Sequence, residues 1–391
     1  IYAIRAEFTH AFREFFNIYK NRNINDYHHA QDAYIISVVG NVIDTKLHYK
    51  DEYKYKEYVK NYIKEEEKKN QEERKKKWIV MGMIANNINI EQVKKTLNYK
   101  DCFITHKLEE GTGQFYDQTI YSPYDKSKRL EISIKENKDT NKYGGYSGEK
   151  KAYFVICSYY DAKNRKQAEL IGVPVKVSYD IKNKKTSLLD YIQKYLAKDN
   201  GKVSNVKILK NKILKYQEYI NENNEPIILL SDSEIKANKQ LFVNEDINEI
   251  IYQMNRNNIT DEEKKNINRQ MENLYEYFLE KMHTEYMIFE GTYKKLIRDD
   301  VRECFNNLVY EDKVFTINGI IDLMKKGQGN LSKLQFKEGN TVKKLGDREG
   351  RKTKFFIKTD KLKNITFIDK SITGMYERRY KIDGLEDNCS K

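Results

Sequence analysis

The apolar residues between positions 27 and 43 recur at a helical spacing. They fall in pairs that lie three to four positions apart: Ile35/Ile36, Val38/Val39 and Val42/Ile43. This repeat is typical of a helix that buries one face. Asn25 and Asp26 come just before the pattern, and both are residue types that cap helices. We therefore predict an amphipathic helix from about residue 27, joined to an earlier helix through the polar stretch NRNINDY.

Further along the chain the pattern changes from helical to alternating. Apolar and polar residues alternate, with β-branched and aromatic enrichment, in RLEISIKEN, KAYFVICSYYD and VPVKVSYD, which predicts three strands. The Gly-Gly of NKYGGYSGEKK predicts a turn and a boundary near residue 145. Helical spacing returns in SLLDYIQKYLA and over a long stretch from DINEIIYQMNRN to RECFNNLVY. The final 50 residues predict short strands at TKFFIK, NITFID and MYERRYKI, so the fold class is α+β.

Charge adds two constraints on function. The chain carries 72 Lys+Arg against 59 Asp+Glu, a formal net charge of +13 with a pI near 9.1, which favours an anionic partner, nucleic acid first. The segment 49–77 instead mixes both charge signs densely, which is typical of a solvated helix or a flexible insertion. No apolar run of about 18 residues is present to span a membrane. We expect a cytoplasmic protein with no membrane partner.

The four cysteines bear on the same question. They are scattered, without a C-x-x-C pair: Cys102, Cys157, Cys304 and Cys389. This spacing argues against a disulfide framework and against a cysteine zinc site. Reduced thiols are the expected state.

A candidate for chemistry lies at the start of the predicted helix. His29 and Asp32 are separated by three positions, so both side chains project from one face. The carboxylate could bind a divalent metal ion while the imidazole acts as a general base. The same spacing also serves helix capping or a structural hydrogen bond. Magnesium suits the site better than zinc, because no cysteine is near and His28 cannot face the same ligand as His29.

The whole stretch carries a more specific signal. FREFFNIYKNRNINDYHHAQDAYIISVVGNVI resembles the third RuvC motif of the type II CRISPR-associated, RNA-guided DNA endonucleases. Three further segments resemble parts of that family in the same order: KYGGYSGEKKAYFVI, IILLSDSEIKANKQLFV and KSITGMYERRYKID, the last being similar to the terminal strand motif. The four segments extend over nearly the whole chain.

The resemblance implies a domain arrangement. It implies a helical remnant of an RNase-H-like (RuvC) domain, followed by a mixed, β-rich domain that recognises the protospacer-adjacent motif (PAM) and carries a helical insertion. We expect a third RuvC segment at 1–100, a connecting and phosphate-lock region at 101–144, a first PAM-interacting part (wedge or topoisomerase-homology-like) at 145–224, and a PAM-reading part at 225–391. The chain begins at Ile1 rather than at methionine. We expect a fragment that is inactive alone, from a parent enzyme that hydrolyses phosphodiester bonds.

The resemblance also implies roles at the candidate site. Asp32 matches the metal-binding aspartate and His29 the general base of a centre that cuts the non-target DNA strand. Two magnesium ions are implied, with manganese as an alternative, and their remaining carboxylate ligands lie outside this chain. His28 is expected to be structural, with its side chain pointing away from His29. Arg22 matches an arginine that could contact a phosphate near the site.

A second implied site is a phosphate-binding loop in TGQFYDQT. The backbone amides of Asp117 and Gln118 and the hydroxyl of Thr119 match the place where the family holds the phosphate next to the PAM. A carboxylate beside a phosphate repels it, so the Asp117 side chain must point away.

The third implied site reads DNA bases. In the family, arginines before the terminal motif bind guanine in the major groove. The paired arginines of the best-known pattern are not at the expected spacing here, and LGDREGR favours Arg351 as the counterpart. Lys354 and Lys358 could reach the same groove, and each of the three could instead contact phosphate or solvent.

These sites imply partners and leave alternatives open. The expected partners are double-stranded DNA carrying the PAM, a guide RNA, the rest of the parent nuclease and, as a further candidate, an anti-CRISPR inhibitor, in a bacterial cytoplasm. The alternative function is a non-catalytic fragment that binds DNA, guide RNA or an inhibitor. A more remote one is a stand-alone RNase-H-like nuclease, which would need further carboxylates on strands, and we predict no strand before the helix.

Overall fold

A computed structural model describes residues 4–47, 79, 82–84, 86–100, 103–125, 130–135, 138–232, 234–350 and 364–382. The chain divides into two compact units. Unit 1 comprises Ile1–Ile104 and Gln240–Leu274, and unit 2 comprises Thr105–Lys239 and Tyr275–Lys391. Among the described helices, none is long and apolar enough to cross a membrane.

The described helices, in chain order, are α1 (Ala6–Phe15), α2 (His28–Leu47), α3 (Ile90–Leu97), α4 (Thr140–Tyr143), α5 (Val175–Lys182), α6 (Leu188–Asn200), α7 (Glu245–Met254), α8 (Asp261–Asn268), α9 (Met271–Glu285), α10 (Glu290–Leu296), α11 (Asp299–Asn306) and α12 (Tyr310–Lys326). The strands are β1 (Ile132–Ser133), β2 (Gly145–Tyr146), β3 (Lys151–Tyr160), β4 (Lys166–Pro174), β5 (Ser204–Ile213), β6 (Glu218–Ile220), β7 (Pro226–Leu229), β8 (Ile235–Ala237), β9 (Gln335–Glu338), β10 (Thr341–Lys344), β11 (Thr366–Lys370) and β12 (Glu377–Tyr380). The result is the predicted α+β class.

The core of unit 1 forms around α2. Ile35 and Val39 are fully buried and pack with Phe12 of α1 and with the apolar face of α3. The predicted helix is confirmed, with one exception in its face: Ile36 is 44% exposed, because it points from the opposite side of the helix to Val38 and Val42. Burying this stripe stabilises α2 by roughly 1.5–3 kcal/mol per large side chain. The packing of α1 on α2 thereby fixes both ends of the connection between the two helices.

A segment distant in sequence completes unit 1. The side chain of Asn25 donates to the carbonyl of Leu241 (2.9 Å), and the backbone N–H of Asp26 donates to the Gln240 side chain (2.8 Å). Farther along, Asn21 donates to the Asn248 carbonyl at 2.6 Å. These bonds attach α7 to the connection between α1 and α2, and so position α7 beside the residues that precede Asp32.

Unit 2 is built on antiparallel sheets. One has the order β4-β3-β5, and another has the order β12-β11-β6-β7-β8. Strand β3 is buried from residue 152 to residue 159, and its two faces contribute to two apolar clusters. The prediction of strands at KAYFVICSYYD, NITFID and MYERRYKI is confirmed, as is the helix at SLLDYIQKYLA.

Several sequence predictions were wrong or incomplete in unit 2. VPVKVSYD was predicted as a strand but forms α5, because Pro174 sets an extended N-cap and the residues after it have helical spacing as well as alternation. Strands β4 to β10 were missed. The long helical stretch is a series of separate helices from α7 to α11, with a 3-10 turn at Met287–Phe289. The segments 49–77 and TKFFIK lie outside the described residues.

Candidate functional site

Asp32 lies in the first turns of α2 and is held by two cations. Nη2 of Arg13 is 2.8 Å from Oδ1 of Asp32, and Nζ of Lys20 pairs with Oδ2. Arg13 comes from α1, and its side chain is only 9% exposed, while the Asp32 side chain is 32% exposed. The fold of α1 against α2 therefore fixes both oxygens of one carboxylate.

The protonation of this cluster follows from its surroundings. Burial would raise the pKa of Asp32, but the hydrogen bonds and charges of Lys20 and Arg13 outweigh it and hold the pKa below its usual value. Burial also lowers the pKa of Arg13, against the opposing effect of Asp32. The other terminal nitrogen of Arg13, Nη1, is buried and has no hydrogen-bond acceptor among the described residues. The cluster is thus an ionised carboxylate with a partly satisfied guanidinium behind it.

The two histidines lie at the first residues of α2. His29 is exposed and precedes Asp32 by about one helical turn. Nδ1 of His28 is 2.8 Å from the carbonyl of Asn25, and the two imidazole rings are 4.1 Å apart between centroids. The prediction that these side chains point apart was wrong, because the bond to Asn25 turns the His28 ring back toward the N-terminal end, where helical side chains also lean.

A cavity of about 810 Å³ opens beside Asp32. Arg22, which is exposed, lines this cavity together with Arg13 and Lys20, so three residues of the α1 and α1–α2 region place positive charge there. His29 is not one of the residues that line it. The cavity can accept an anionic group next to a carboxylate, which is an arrangement suited to a phosphodiester.

The loop that holds Asp117, Gln118 and Thr119 lies in unit 2. Backbone bridges pair Tyr116 with Glu149 and Tyr121 with Gly145, so the loop is a short connection between two tied positions. Gln118 and Thr119 are exposed. A hydrogen bond from the Ser147 hydroxyl to Oδ2 of Asp117 (3.0 Å) holds the carboxylate toward the neighbouring strand segment.

The glycines at 144 and 145 make that anchoring possible. Gly144 has φ +74, in the left-handed region that favours glycine. A Cβ on Gly145 would lie 2.0 Å from the carbonyl oxygen of Ile132. The Gly-Gly pair therefore permits a close backbone contact within unit 2, and this contact supports the loop.

Comparison with known proteins decides the family. The model for the Cas9 RuvC domain matches residues 1–109, and the model for the PAM-interacting domain of CRISPR-associated endonuclease Cas9 matches residues 112–378. The chain belongs to the Cas9 family. It is 24% identical over 412 residues to the CRISPR-associated endonuclease Cas9 of Streptococcus mutans serotype c and 26% identical over 414 residues to that of Listeria innocua serovar 6a. Each match covers 98% of this chain but only 29% and 28% of the relative.

The Cas9 family models and the structural units divide the chain differently. Residues 240–274 lie within the match to the Cas9 PAM-interacting domain, yet they belong to unit 1 together with the Cas9 RuvC match. The cavity beside Asp32 is consequently lined from both matched regions, since Tyr252 and Arg256 also contribute to it.

A Cas9 RuvC domain implies the use of divalent metal ions, and the residues present can be tested for a fit. Within the described ranges, no group of three or more His, Cys, Asp or Glu side chains is placed to hold a metal ion. Both oxygens of Asp32 are bonded to Arg13 and Lys20. A hard cation such as magnesium needs several oxygen ligands. The described residues of this chain therefore do not make a metal site by themselves.

Sequence reasoning missed residues at the candidate Cas9 site. Arg13 and Lys20 stand in the stretch that carries the RuvC resemblance, and their signal was basic residues ahead of the candidate aspartate Asp32. Tyr252 and Arg256 gave no local signal, since they lie more than 200 residues from Asp32 in sequence. The base-reading candidates Arg351, Lys354 and Lys358 lie outside the described residues.

Proposed function

We propose that this chain is the C-terminal part of a Cas9 RNA-guided DNA endonuclease, where it supplies part of the RuvC centre that cuts the non-target strand and the domain that recognises the PAM. The observation that supports the nuclease role best is the placement of Asp32. Its carboxylate is held ionised by Arg13 and Lys20 on the wall of a cavity with a cationic lining. A phosphodiester needs both features beside it, a negative ligand for a metal ion and positive charge for its own oxygens.

Completion of the site requires residues beyond this chain. The proposed ion is magnesium, with manganese as an alternative, because carboxylate oxygens suit these hard cations. Further carboxylates from a longer protein would supply the ligands that Asp32 alone cannot. Nη1 of Arg13 supports this proposal, because a buried unpaired donor costs about 1–3 kcal/mol and an additional acceptor would remove that cost. His29 is proposed as the general base, and Arg22 as a phosphate contact.

The PAM-side roles are proposed from the loop at Asp117 and from the resemblance to the family. The hydrogen bond from Ser147 holds the Asp117 carboxylate toward Ser147, which removes its repulsion of a phosphate at the loop. The phosphate can then bind the backbone amides of Asp117 and Gln118 and the Thr119 hydroxyl. Arg351 is the proposed guanine reader, with Lys354 and Lys358 as further contacts. Double-stranded DNA, guide RNA and the rest of the nuclease are the proposed partners, with an inhibitor as a further candidate, in the bacterial cytoplasm.

A non-catalytic binding role for this chain alone is the second candidate. One observation favours it: within the described residues, no group of three or more His, Cys, Asp or Glu side chains is placed to hold a metal ion. A chain with this composition and a net charge of +13 would still bind nucleic acid. The two candidates differ only in whether the other segments of the longer protein are present.

The decisive experiment is Asp32→Ala in the full-length protein loaded with guide RNA. Cleavage of the two DNA strands is followed separately with end labels. The non-target strand should be cut roughly 100- to 1,000-fold more slowly, because loss of one metal ligand removes several kcal/mol of transition-state stabilisation, while target-strand cutting persists. Asp246→Ala, at an exposed position in unit 1, is the control. Unchanged cutting of the non-target strand would refute the assignment.

A further inference from the structure

One wall of the cavity beside Asp32 comes from the end of α7. Tyr252 lies in the last turn of this helix, and Arg256 follows just after it. Both residues line the same cavity of about 810 Å³ as Asp32, and all three belong to unit 1. Tyr252 presents an aromatic ring to the cavity, and Arg256 presents a positive charge.

The ring belongs to an aromatic pair. The centroids of Tyr19 and Tyr252 are 5.2 Å apart with their planes inclined by 41°, and both side chains are half-buried. The Tyr19 hydroxyl donates to Oε1 of Glu249 at 2.9 Å, which fixes the orientation of its ring. Burial, followed by this bond, raises the pKa of Tyr19 to about 12, so the ring stays neutral. Such a pair provides a fixed aromatic platform at the cavity wall.

The guanidinium of Arg256 can exchange its carboxylate partner for another anion. Arg256 is exposed, and its Nη1 lies 3.1 Å from Oε1 of Glu263, with both side chains close to half exposed. An ion pair in that setting contributes little to stability. Glu263 does not depend on it, because its carboxylate also accepts from the N–H and hydroxyl of Thr260 in the capping box of α8. A phosphate can therefore replace Glu263 at Arg256 at small cost.

We propose that Tyr252 and Arg256, with Tyr19, form a subsite for one unpaired DNA strand beside Asp32, in which the tyrosine pair stacks on a base and Arg256 binds a neighbouring phosphate. Aromatic side chains next to cations are the usual means of holding single strands. A duplex does not fit this arrangement, because paired bases hide their faces in the stack. The proposal rests on the proposed function, since a nuclease centre at Asp32 makes DNA the strand concerned.

The test measures binding of a fluorescein-labelled oligodeoxythymidylate to the 391-residue chain at several salt concentrations. Four variants are compared with wild type: Tyr252→Leu, Tyr252→Phe, Arg256→Ala and Arg269→Ala. Leucine keeps an apolar side chain without a ring, and phenylalanine keeps the ring without the hydroxyl. Arg269 is the matched control, because it is exposed in unit 1 and does not line the cavity. Circular dichroism confirms that each variant is folded.

The expected result is specific to the subsite. Tyr252→Leu should weaken binding by roughly 5- to 100-fold, and Tyr252→Phe should restore it, since stacking on one base has that range of effect. Arg256→Ala should reduce the dependence of log affinity on log salt by about 1. Effects no larger than that of Arg269→Ala would overturn the subsite. Tighter, equally Tyr252-dependent binding of oligouridylate would overturn its assignment to DNA.

A second measurement covers the case in which a variant does not fold. In the full-length protein, 5-iodouracil placed in the displaced DNA strand should photo-crosslink to Tyr252 or Tyr19, and absence of any crosslink to either would contradict the proposal. This outcome is independent of Asp32→Ala. Crosslinking with cleavage unaffected by Asp32→Ala would refute the nuclease role and keep the subsite, and the reverse pattern would refute the subsite alone.

Discussion

Each unit holds a lysine–carboxylate ion pair: Lys20 with Asp32 in unit 1, and Lys370 with Glu218 in unit 2. The two pairs have similar geometry and different surroundings. The lysine side chains are nearly equal in exposure, 23% and 24%. The carboxylates are not, since Asp32 is 32% exposed and Glu218 is 7% exposed. A lysine–carboxylate pair therefore faces a cavity in one unit and is largely buried in a sheet in the other.

Glu218 is buried within its sheet, with 7% of its side chain exposed. Glu218 of β6 lies opposite Ile368 of β11, and Lys370 is two residues farther along the same strand, so the pair lies diagonally on one face. The neighbouring Gln217 side chain donates to the Ile368 carbonyl at 2.8 Å and to Asp369 at 3.2 Å. These bonds add to the backbone pairing of β6 with β11. The pair has a structural role.

Asp32 differs because it has two cations and an open side. Arg13 and Lys20 both line the cavity with Asp32, and the Arg13 side chain is the more buried of the two cations, 9% exposed against 23%. Loss of Lys20 would leave Asp32 with Arg13 and with water. Comparison of the two pairs teaches that a paired carboxylate becomes a candidate for chemistry when it lies on an open cavity together with its counter-ions.

The largest expected effect concerns the closed pair. Lys370→Met should lower the free energy of unfolding of unit 2 by about 3 kcal/mol, because it leaves a buried carboxylate without a counter-ion. Amide hydrogen exchange in β6 and β11 reports this locally, which matters because the chain has two units. Lys344→Met, on exposed β10, is the matched control and should change little. A loss of less than about 1 kcal/mol would place Glu218 in contact with solvent.

The same substitution in unit 1 should have a smaller effect. Lys20→Met should cost about 1 kcal/mol or less, because Arg13 still neutralises Asp32 and the carboxylate reaches water. Amide exchange in α2 measures it. A loss as large as that of Lys370→Met would remove the distinction between the open and the closed pair, and would make Lys20 a structural residue.

The smallest effect is a pH dependence. The pKa of Asp32 is lowered in the folded protein, so its ion pairs contribute stability above the unfolded-state pKa, near 3.9, and lose it as pH falls through the folded value. Guanidinium titrations between pH 3 and pH 7, followed by NMR signals of α2, should show wild type losing stability relative to Asp32→Asn below about pH 4. Asp246→Asn serves as the control. A constant difference at all pH values would mean that Asp32 is not ionised through these pairs.

The sequence predicted the elements that depend on local patterns. The buried face of α2 and the strand β3 followed from their periods, because burial on one face repeats along the chain. Strand-like alternation failed at α5, where Pro174 decided the conformation. The pairing of Arg13 with Asp32 required the packing of α1 on α2, and the approach of Tyr252 required a contact across more than 200 residues. A contact across that separation leaves no mark in a single sequence.

The division of unit 1 into two sequence segments sets an order of events during synthesis. Tyr252 is made about 220 residues after Asp32, which corresponds to roughly 10 to 45 s at typical elongation rates. During that time, the hydrogen bonds from Asn21 to Asn248 and from Asn25 to Leu241 cannot form, because the accepting residues have not yet been synthesised. The wall of the cavity is added only after residues 105–239 have emerged. A nascent chain interrupted in that interval would carry Asp32 without the subsite that we propose for the unpaired DNA strand.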